Sequence, residues 1–178
     1  ENDRLITILS DQKGISRFAV PGARRPKSSL SAASPITYLD LQIFGRKNLK
    51  KVRQLKIIKS YNGLGKSIEC LAAAQAITEL SFLLVGNNDE QNNYLSTVLA
   101  HLDRIYNYKM QHEFDSKILA MSIQSLIHLL AIGGLSLPIY YCCKSGKPIH
   151  PPLGNWEWSC YFIPNEGFST YEDSRSML

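Results

Sequence analysis

The spacing of apolar residues changes at Gly63, and this change limits the possible folds more than any other feature of the chain. Before Gly63, apolar and polar residues alternate over several short runs, which is typical of strands that bury one face. After Gly63, apolar residues recur every three to four positions over three long stretches, which indicates amphipathic helices. The sequence therefore predicts an α+β protein, with a β part followed by a helical part.

Four strands are predicted in the β part. They cover residues 3–9, 15–20, 36–44 and 52–59, and their connections are polar. Short strands joined in this way favour a small barrel of the oligonucleotide/oligosaccharide-binding (OB) type. Residues 3–9 already have a strand pattern at the start of the chain, so we expect the first strand of the barrel to be missing and a sheet edge to be unpaired.

Three helices are predicted after Gly63. The first two cover residues 67–85 and 91–108, and the third begins at an N-cap pair, Asp115 and Ser116, and ends at Gly133. Each has an apolar stripe that we expect to be core. The stripe of the third helix comprises Leu119, Ile123, Leu126, Ile127 and Leu130.

The helices are followed by residues 138–178, which are rich in glycine, proline and aromatic residues and predict an irregular C-terminal segment packed on the helices. We therefore divide the chain into an OB-fold nucleic-acid-binding domain, residues 1–62, and a helical domain with a cysteine-containing C-terminal segment, residues 63–178. The longest apolar stretches are interrupted by polar residues and fall short of the roughly 18–20 apolar residues that cross a bilayer, so no membrane contact is expected.

Charge is divided unequally between the two parts. Residues 1–60 contain 13 of the 20 Lys and Arg residues but only 4 of the 15 acids, so this part has a net charge of +9 and the rest of the chain −4. A basic module of this kind indicates a polyanionic partner, above all a nucleic acid. The alternative is a solvated charged face with no ligand.

Two basic segments, residues 23–29 and 45–53, lie in predicted loops or at the start of a strand. The loops of OB barrels are the usual sites where this fold binds single-stranded nucleic acid. The candidate phosphate contacts are Arg24, Arg25, Lys27, Arg46, Lys47, Lys50, Lys51 and Arg53. Ser28 and Ser29 are candidate hydroxyl donors to phosphate. Three aromatic residues of the β part, Phe18, Tyr38 and Phe44, are available for base stacking or for the core.

Residues 60–67 end in Gly-Lys-Ser between a strand and a helix, which is the setting of a phosphate-binding P-loop. That pattern requires glycine where Ser60 stands, and no later apolar run supplies an aspartate for magnesium. We therefore predict Ser67 to be a helix N-terminal residue, and a nucleotide-hydrolysing enzyme stays only as an alternative.

The cysteines do not predict a metal site. Cys142, Cys143, His150 and Cys160 are the possible zinc ligands, but adjacent cysteines diverge and no C-x-x-C pair exists. We expect no zinc, no other cofactor and reduced thiols. The histidines of the helical part have no obvious Ser or Cys partner, so no enzymatic activity is expected.

The order of several segments resembles the bacterial RecO family of DNA repair proteins. Residues 3–9, 13–15 and 21–30 are similar to the family patterns E-x-D-R-L-x-T-x-L-T, K-G and G-A-R-K-x-K-S-x-L, which occur there in the same order. The similarity continues in residues 57–84 and 126–142. Many members follow the last segment with C-x-x-C-G and a later cysteine pair that bind zinc, whereas Ser145 occupies the second cysteine position here.

The resemblance implies an OB fold, a helical bundle and no enzymatic activity. It also implies a recombination mediator that binds single- and double-stranded DNA, promotes strand annealing, engages RecR and the single-strand-binding protein, and thereby helps load RecA. The expected location is the bacterial cytoplasm, at the nucleoid during repair. An OB-type adaptor that binds RNA is the other open alternative. The single-strand-binding protein has an acidic tail, for which we expect basic contacts outside the barrel. The candidates are Lys109, Lys117, Lys144 and Lys147.

Overall fold

The structure is a computed structural model that describes residues 2–25, 27–31, 34–45, 50–86, 93–111, 117–135, 137–152, 154, 158–163 and 165–171. Its elements are β1 (Arg4–Ser10), β2 (Gly14–Val20), β3 (Thr37–Phe44), β4 (Lys50–Ser60), a 3₁₀ helix (Asn62–Lys66), α1 (Ile68–Leu84), α2 (Tyr94–Gln111), α3 (Ile118–Ile132), β5 (Tyr161–Ile163) and β6 (Gly167–Ser169). They confirm the predicted α+β class. The chain forms two compact units, Glu1–Gly133 and Gly134–Leu178. The predicted division after residue 62 stays a prediction.

The four long strands form one OB-like sheet in the order β1-β2-β4-β3. The pairs β1–β2 and β3–β4 are antiparallel. A short parallel contact joins β2 to β4, with Phe18 beside Lys50 and Ala19 beside Lys51. Among the described residues, β1 and β3 are each paired on one side only, so they are the two edges of this curved sheet.

Strand β4 carries two irregularities where its register with β3 shifts. Ile43 pairs with Val52 but Gln42 pairs with Gln54, so Arg53 has no partner residue in β3. A second shift lies between Tyr38 and Leu39. Extra residues of this kind bend a strand and increase its twist, which suits a barrel wall.

The helices begin and end close to the predicted positions. Ser67 caps α1, because its Oγ accepts a hydrogen bond from the Cys70 N–H at 3.2 Å. Helix α2 begins at Tyr94 rather than residue 91 and extends to Gln111. The predicted N-cap residues of α3, Asp115 and Ser116, lie outside the described residues; α3 itself begins at Ile118 and is followed by Gly133, as predicted.

The prediction that the apolar stripe of α3 is core was wrong for three of its members. Leu119 is 71% exposed, Ile123 49% and Ile127 38%, whereas Ser122 and Ser125 of the same helix are buried. The reason lies in the packing of α3 against α1. The buried positions of α1 also include small residues, namely Ala73, Ala74 and Ser81, and small side chains let two helices approach closely, which leaves the larger residues outside.

Two apolar clusters hold the first unit together. The smaller one lies inside the sheet and comprises Phe18, Val20, Ala23 and Val52. The larger one joins the sheet to the helices and includes Ile15 of β2, Tyr61 and Leu64 after β4, Ile77 of α1 and Ile105 of α2. Within the parts of the chain that are described, no helix combines the length and the hydrophobicity needed to cross a membrane.

The second unit has little regular structure, as predicted. Its two short strands, β5 and β6, pair antiparallel. A turn at Cys142–Gly146 lies next to them, because the N–H of Cys143 donates to the carbonyl of Phe168 at 2.8 Å and that of Gly146 donates to Cys142 at 2.8 Å.

Candidate nucleic-acid interface

The first basic segment follows β2 and is anchored to the sheet. Ala23 is buried in the apolar cluster of the sheet. Gly22 adopts a φ of 63°, a left-handed conformation that favours glycine, and its N–H donates to Asp3 Oδ1 at 2.8 Å. The N–H of Arg24 donates to the carbonyl of Asn2 at 3.0 Å. These bonds fix the start of the segment next to the first residues of the chain.

The cationic side chains of this segment are exposed. Arg24, Arg25 and Lys27 are all accessible, and the aliphatic part of Arg25 runs beside Gly22. Ser28 continues the turn, since its N–H donates to the Arg25 carbonyl at 3.2 Å and its Oγ accepts from the Leu30 N–H at 3.2 Å. The Ser28 hydroxyl hydrogen is still available to an oxygen acceptor such as phosphate.

The second basic segment forms the beginning of β4. Lys51 and Arg53 are exposed on either side of Val52, which is only 1% exposed, and Lys50 is half-buried. Alternation along the strand therefore directs Lys51 to the outer face of the sheet, and Arg53, the extra residue at the register shift, is exposed as well. The remaining candidates, Arg46 and Lys47, lie outside the described residues.

The parallel contact between β2 and β4 brings the two segments together. Ala19 lies beside Lys51, and the first segment begins only a few residues after Ala19. Phe18 and Val20 are buried, so Arg17 and Ala19 occupy the outer face of β2. Arg17 is exposed there, on the same face as Lys51, and sequence reasoning had not selected it. Its alternation with the buried Phe18 is the signal that could have identified it.

The six described candidates have no carboxylate within ion-pair distance among the described residues. Lys59, in the same strand as Lys51, differs because it forms an ion pair with Asp103. Cations without an internal partner retain their full charge for an external anion, and their mutual repulsion is relieved when that anion binds. We call the exposed set of Arg17, Arg24, Arg25, Lys27, Lys51 and Arg53 the basic face.

The aromatic candidates have different positions. Phe18 is 7% exposed and belongs to the core, which is the second of the two roles predicted for these aromatic residues. Tyr38 is half-buried against the larger apolar cluster. Phe44 is 50% exposed at the end of β3 and is paired with Lys51 of the basic face. An exposed ring beside a cation is an arrangement that binds single-stranded nucleic acid.

The Gly-Lys-Ser segment is built as a helix start. Residues Asn62–Lys66 form a 3₁₀ helix, and a Cβ atom at Gly63 would lie 2.9 Å from the Tyr106 ring. Ser67, confirmed as the N-terminal residue of α1, accepts from Cys70 and donates to Glu69 Oε2 at 2.9 Å. Its hydroxyl is therefore engaged within the protein, which does not favour the nucleotide-hydrolysing alternative.

The donor set around Cys142 does not fit zinc. The Sγ of Cys142 is 3.7 Å from Oγ of Ser169 and 3.7 Å from Oγ1 of Thr170, and hydrogen bonds from Ser145 and Thr170 lower the pKa of this thiol to about 5. Hydroxyl groups thus surround the sulfur where thiolates or imidazoles would be needed. No cluster of three or more His, Cys, Asp or Glu residues suited to a metal is found among the described residues.

The histidines of the helices contact each other. Nε2 of His101 and Nδ1 of His128 are 3.0 Å apart, and the two rings are nearly perpendicular. Burial, together with the charges of Arg104 and His128, lowers the pKa of His101. This pair links α2 to α3.

Comparison with known proteins gives consistent matches along the chain. The family model described as "Recombination protein O N terminal" matches residues 1–61, and the one described as "Recombination protein O C terminal" matches residues 65–177. A DNA repair protein RecO of Prochlorococcus marinus (strain MIT 9303) is 52% identical over 170 residues, which are 95% of the chain and 64% of that relative.

Two further relatives carry the same name. The DNA repair protein RecO of Synechococcus sp. (strain WH7803) is 49% identical over 95% of the chain and 63% of the relative. That of Trichodesmium erythraeum (strain IMS101) is 29% identical over 100% of the chain and 63% of the relative. The chain thus spans a little less than two-thirds of the length of these three proteins.

Proposed function

The chain belongs to the RecO family, and from this premise we propose that it binds single- and double-stranded DNA through its basic face and mediates homologous recombination in DNA repair. The relatives named above are DNA repair proteins, which supports the proposal. It assigns no enzymatic activity and no cofactor to the chain. The expected location is the bacterial cytoplasm, at the nucleoid during repair.

The observation that carries this proposal is the contact between β2 and β4. It pairs the strand that leads into the first basic segment with the start of the second, and no carboxylate among the described residues lies within ion-pair distance of cations such as Arg24 and Lys51. Each contact between such a cation and a phosphate releases condensed counterions from the nucleic acid, which favours binding. Contacts to phosphate do not distinguish one base from another, so this binding does not depend on the base sequence. The exposed ring of Phe44 beside Lys51 adds a stacking position for an unpaired base.

Strand annealing follows from the same electrostatics. Two complementary strands repel each other through their phosphates, and a surface with several unneutralised cations lowers this repulsion when both strands lie near it. Because the contacts are to phosphate, annealing should proceed with any complementary sequences. Helping RecA to load would then depend on partner proteins, which we propose to be RecR and the single-strand-binding protein.

Basic residues outside the sheet are the proposed contacts for the acidic tail of the single-strand-binding protein. Lys117 and Lys147 are exposed, whereas Lys144 is paired with Glu166 at 3.0 Å, so its charge is partly neutralised. We therefore rank Lys117 and Lys147 above Lys144. Alanine replacement of each, with binding of a tail peptide measured by calorimetry, tests this order.

The experiment that tests DNA binding is a salt titration with a fluorescent single-stranded oligomer, followed by anisotropy. The logarithm of the binding constant should fall linearly with the logarithm of the salt concentration, with a slope of about −0.7 for each phosphate neutralised. A slope that corresponds to several contacts is expected. If folded protein does not bind even at low salt, the basic face is a solvated surface and the proposal fails.

The same titration with an RNA oligomer of equal length separates DNA binding from the RNA-adaptor alternative. Contacts to phosphate alone give similar slopes for both, so the comparison is made by competition at one salt concentration. Preference for DNA, or equal binding, is expected. A strong preference for RNA would favour the adaptor, since only contacts to the 2′-hydroxyl distinguish the two backbones.

A further inference from the structure

The second unit, Gly134–Leu178, has a small apolar core. Among its described residues, the apolar side chains that are almost fully buried belong to Cys142, at 2% exposure, and Ile163, at 1%. Folded units with so few buried apolar side chains normally depend on disulfides, a metal ion or other links between their segments. The cysteines described in this unit are free, so no disulfide joins them. Other contacts must therefore connect its segments.

The sulfur atom of Cys142 contacts two of these segments. Ser145, in the turn Cys142–Gly146, gives this sulfur hydrogen bonds from its N–H and from its hydroxyl. Thr170, directly after β6, does the same, and its hydroxyl donates to Cys142 Sγ at 3.7 Å. Ser169 Oγ, at the end of β6, also lies 3.7 Å from Sγ. One buried sulfur atom thus accepts hydrogen bonds from both the turn and the hairpin.

Further contacts hold the turn against the β5–β6 hairpin. The N–H of Cys143 donates to the carbonyl of Phe168 at 2.8 Å. A Cβ atom at Gly167 would lie 3.9 Å from Cβ of Cys143, so the hairpin backbone runs directly beside the turn. At the surface, Lys144 of the turn forms an ion pair with Glu166 of the hairpin at 3.0 Å. The hydrogen bonds to the buried sulfur therefore lie between two segments that are in contact.

The spacing around the sulfur is that of a tetrahedral metal site. Two thiolates that bind one zinc ion at about 2.3 Å each lie about 3.8 Å apart. The separation between Sγ of Cys142 and Oγ of Ser169 is 3.7 Å. The resemblance to the RecO family also implies zinc at this turn, bound through cysteine pairs. Position and spacing are thus those of a metal site, and the donor atoms decide whether a metal can bind.

The donor atoms are those of a hydrogen-bonded link. Ser145 presents a hydroxyl where the family pattern has a cysteine. Oγ of Ser169 accepts from the N–H of Tyr171 at 3.0 Å and donates to the carbonyl of Tyr171 at 3.0 Å, so its hydrogen is used within the protein. Zinc requires four ligands, which are thiolates, imidazoles or carboxylates. Cys142 supplies one sulfur, and the other groups in contact with it are hydroxyls and backbone N–H groups.

We propose that the hydrogen bonds to the sulfur of Cys142 replace a metal ion as the link between the turn Cys142–Gly146 and the β5–β6 hairpin, so that the second unit folds without metal. In this arrangement Ser145 and Ser169 keep the positions of metal ligands. Thiols at these two positions would place three thiolates around one point, which is sufficient for a metal ion that completes its shell with water. The residues of the basic face take no part, so the inference does not depend on DNA binding.

Cobalt(II) tests the ligand positions, because its visible absorption distinguishes a tetrahedral thiolate site from the hydrated ion. With all thiols kept reduced, Ser145→Cys/Ser169→Cys should bind cobalt about a hundredfold more tightly than the unsubstituted chain and give the tetrahedral spectrum. The matched control Ser29→Cys/Ser31→Cys adds the same number of thiols at exposed positions of the first unit and should resemble the unsubstituted chain. A folded Ser145→Cys/Ser169→Cys variant that binds cobalt no better than this control would contradict the proposal.

Metal removal tests the unsubstituted chain, and it decides the matter even if the double-cysteine variant does not fold. Elemental analysis of the purified chain should find no bound zinc. Hydrogen exchange of the backbone amides in residues 142–146 and 167–170 should be the same with and without an excess of chelator, because a bound metal would have stabilised this fold by mass action. Stoichiometric zinc, or faster exchange of these amides after chelation, would overturn the proposal.

Removal of the sulfur tests the link itself. Cys142→Ala should accelerate the exchange of the Ser145 and Thr170 amide hydrogens about tenfold or more, because their common acceptor is lost. Cys143→Ala replaces the neighbouring exposed cysteine and should leave both rates unchanged. Loss of protection throughout the β5–β6 hairpin in the Cys142→Ala variant would be a stronger form of the expected result. Equal effects of the two replacements would refute the role of this sulfur as a link.

Discussion

Lys59 of β4 and Asp103 of α2 form an ion pair of 2.7 Å that links the sheet to the helices. The hydroxyl of Tyr61 donates to the same carboxylate oxygen, and Lys59 Nζ lies 5.6 Å from the centre of the Tyr106 ring. Burial acts to raise the pKa of Asp103, but the hydrogen bonds from Lys59 and Tyr61 outweigh it and lower this pKa below its usual value. The Asp103 carboxylate thus accepts hydrogen bonds from both Lys59 and Tyr61 where the sheet meets α2.

Replacing this carboxylate should destabilise the first unit. Asp103→Ala leaves the buried Tyr61 hydroxyl without its acceptor, so the free energy of unfolding should fall by about 1–2 kcal/mol, mostly from the hydrogen bond because the ion pair is partly exposed. Urea unfolding measures it, with Asp11→Ala in the exposed β1–β2 turn as control. The contribution is fully present above the unfolded pKa of Asp and should be lost progressively as the pH falls from there through the lower folded pKa.

Removing three cations of the basic face should reduce the salt dependence of DNA binding. In Arg24→Ala/Arg25→Ala/Lys27→Ala, the log–log slope for a single-stranded oligomer should decrease in magnitude by up to about 2, because each lost phosphate contact accounts for about 0.7. Anisotropy across a salt series measures the slope. The control variant changes three exposed lysines outside the sheet, Lys66, Lys117 and Lys147, and should leave the slope unchanged. An unchanged slope in the Arg24→Ala/Arg25→Ala/Lys27→Ala variant would mean that Arg24, Arg25 and Lys27 do not contact phosphate.

Phe44→Ala should affect binding in a different way. Loss of a stacked base lowers the affinity for single-stranded DNA by about 1–3 kcal/mol while the slope stays constant, since no phosphate contact is lost. The same titrations measure both quantities. Phe162→Ala removes a ring of similar exposure in the second unit and serves as control. A change of slope without a change of affinity would contradict stacking.

The helix cap at Ser67 predicts a stability effect without a binding effect. Ser67→Ala leaves the Cys70 N–H without its acceptor and should lower the free energy of unfolding by about 0.5–2 kcal/mol. Lys66→Ala, at the neighbouring exposed position, should not. Urea unfolding of the two variants compares them, and a larger loss in the lysine variant would show that the segment has a role other than capping.

The His101–His128 contact predicts a dependence of stability on pH. Because the folded protein lowers the pKa of His101, the unfolded chain takes up the proton first as the pH falls below about 6.5, and stability should decline from there down to the folded pKa. Full stability is expected above pH 7. Urea midpoints at several pH values measure the effect, which His101→Gln should reduce. His150→Gln, an exposed residue of the second unit, should not change the profile.

Local periodicity was sufficient to predict the four long strands and the three helices, but not β5 and β6. The predicted strands at 15–20 and 36–44 correspond to β2 and β3 within one residue at each end, because alternation directly reflects one buried face. The exposed stripe of α3 was not predictable in this way. Leu119 and Ile123 have core-like spacing, but which face is buried depends on the small residues of α1 that α3 meets.

The candidate site shows the same limit. Charge and a position in a predicted loop or at a strand start selected Arg24 and Lys51, and both are exposed. The proximity of their segments depends on a parallel strand contact between residues far apart in the chain, which local patterns do not encode. Arg17 was overlooked because a single arginine within a strand carries no compositional signal, although its alternation with Phe18 predicts an outer position.

The short seam between β2 and β4 has a consequence for dynamics. Among the residues that the structure describes, two pairs, Phe18 with Lys50 and Ala19 with Lys51, join the two hairpins there, so within this part of the chain the seam has the fewest cross-strand bonds to lose on opening. A polyanion that spans cations of both hairpins opposes this opening, because it binds the closed arrangement more tightly than the open one. Bound nucleic acid should therefore slow the exchange of backbone amide hydrogens at the seam. The ligand would thus stabilise the strand contact on which its own binding surface depends.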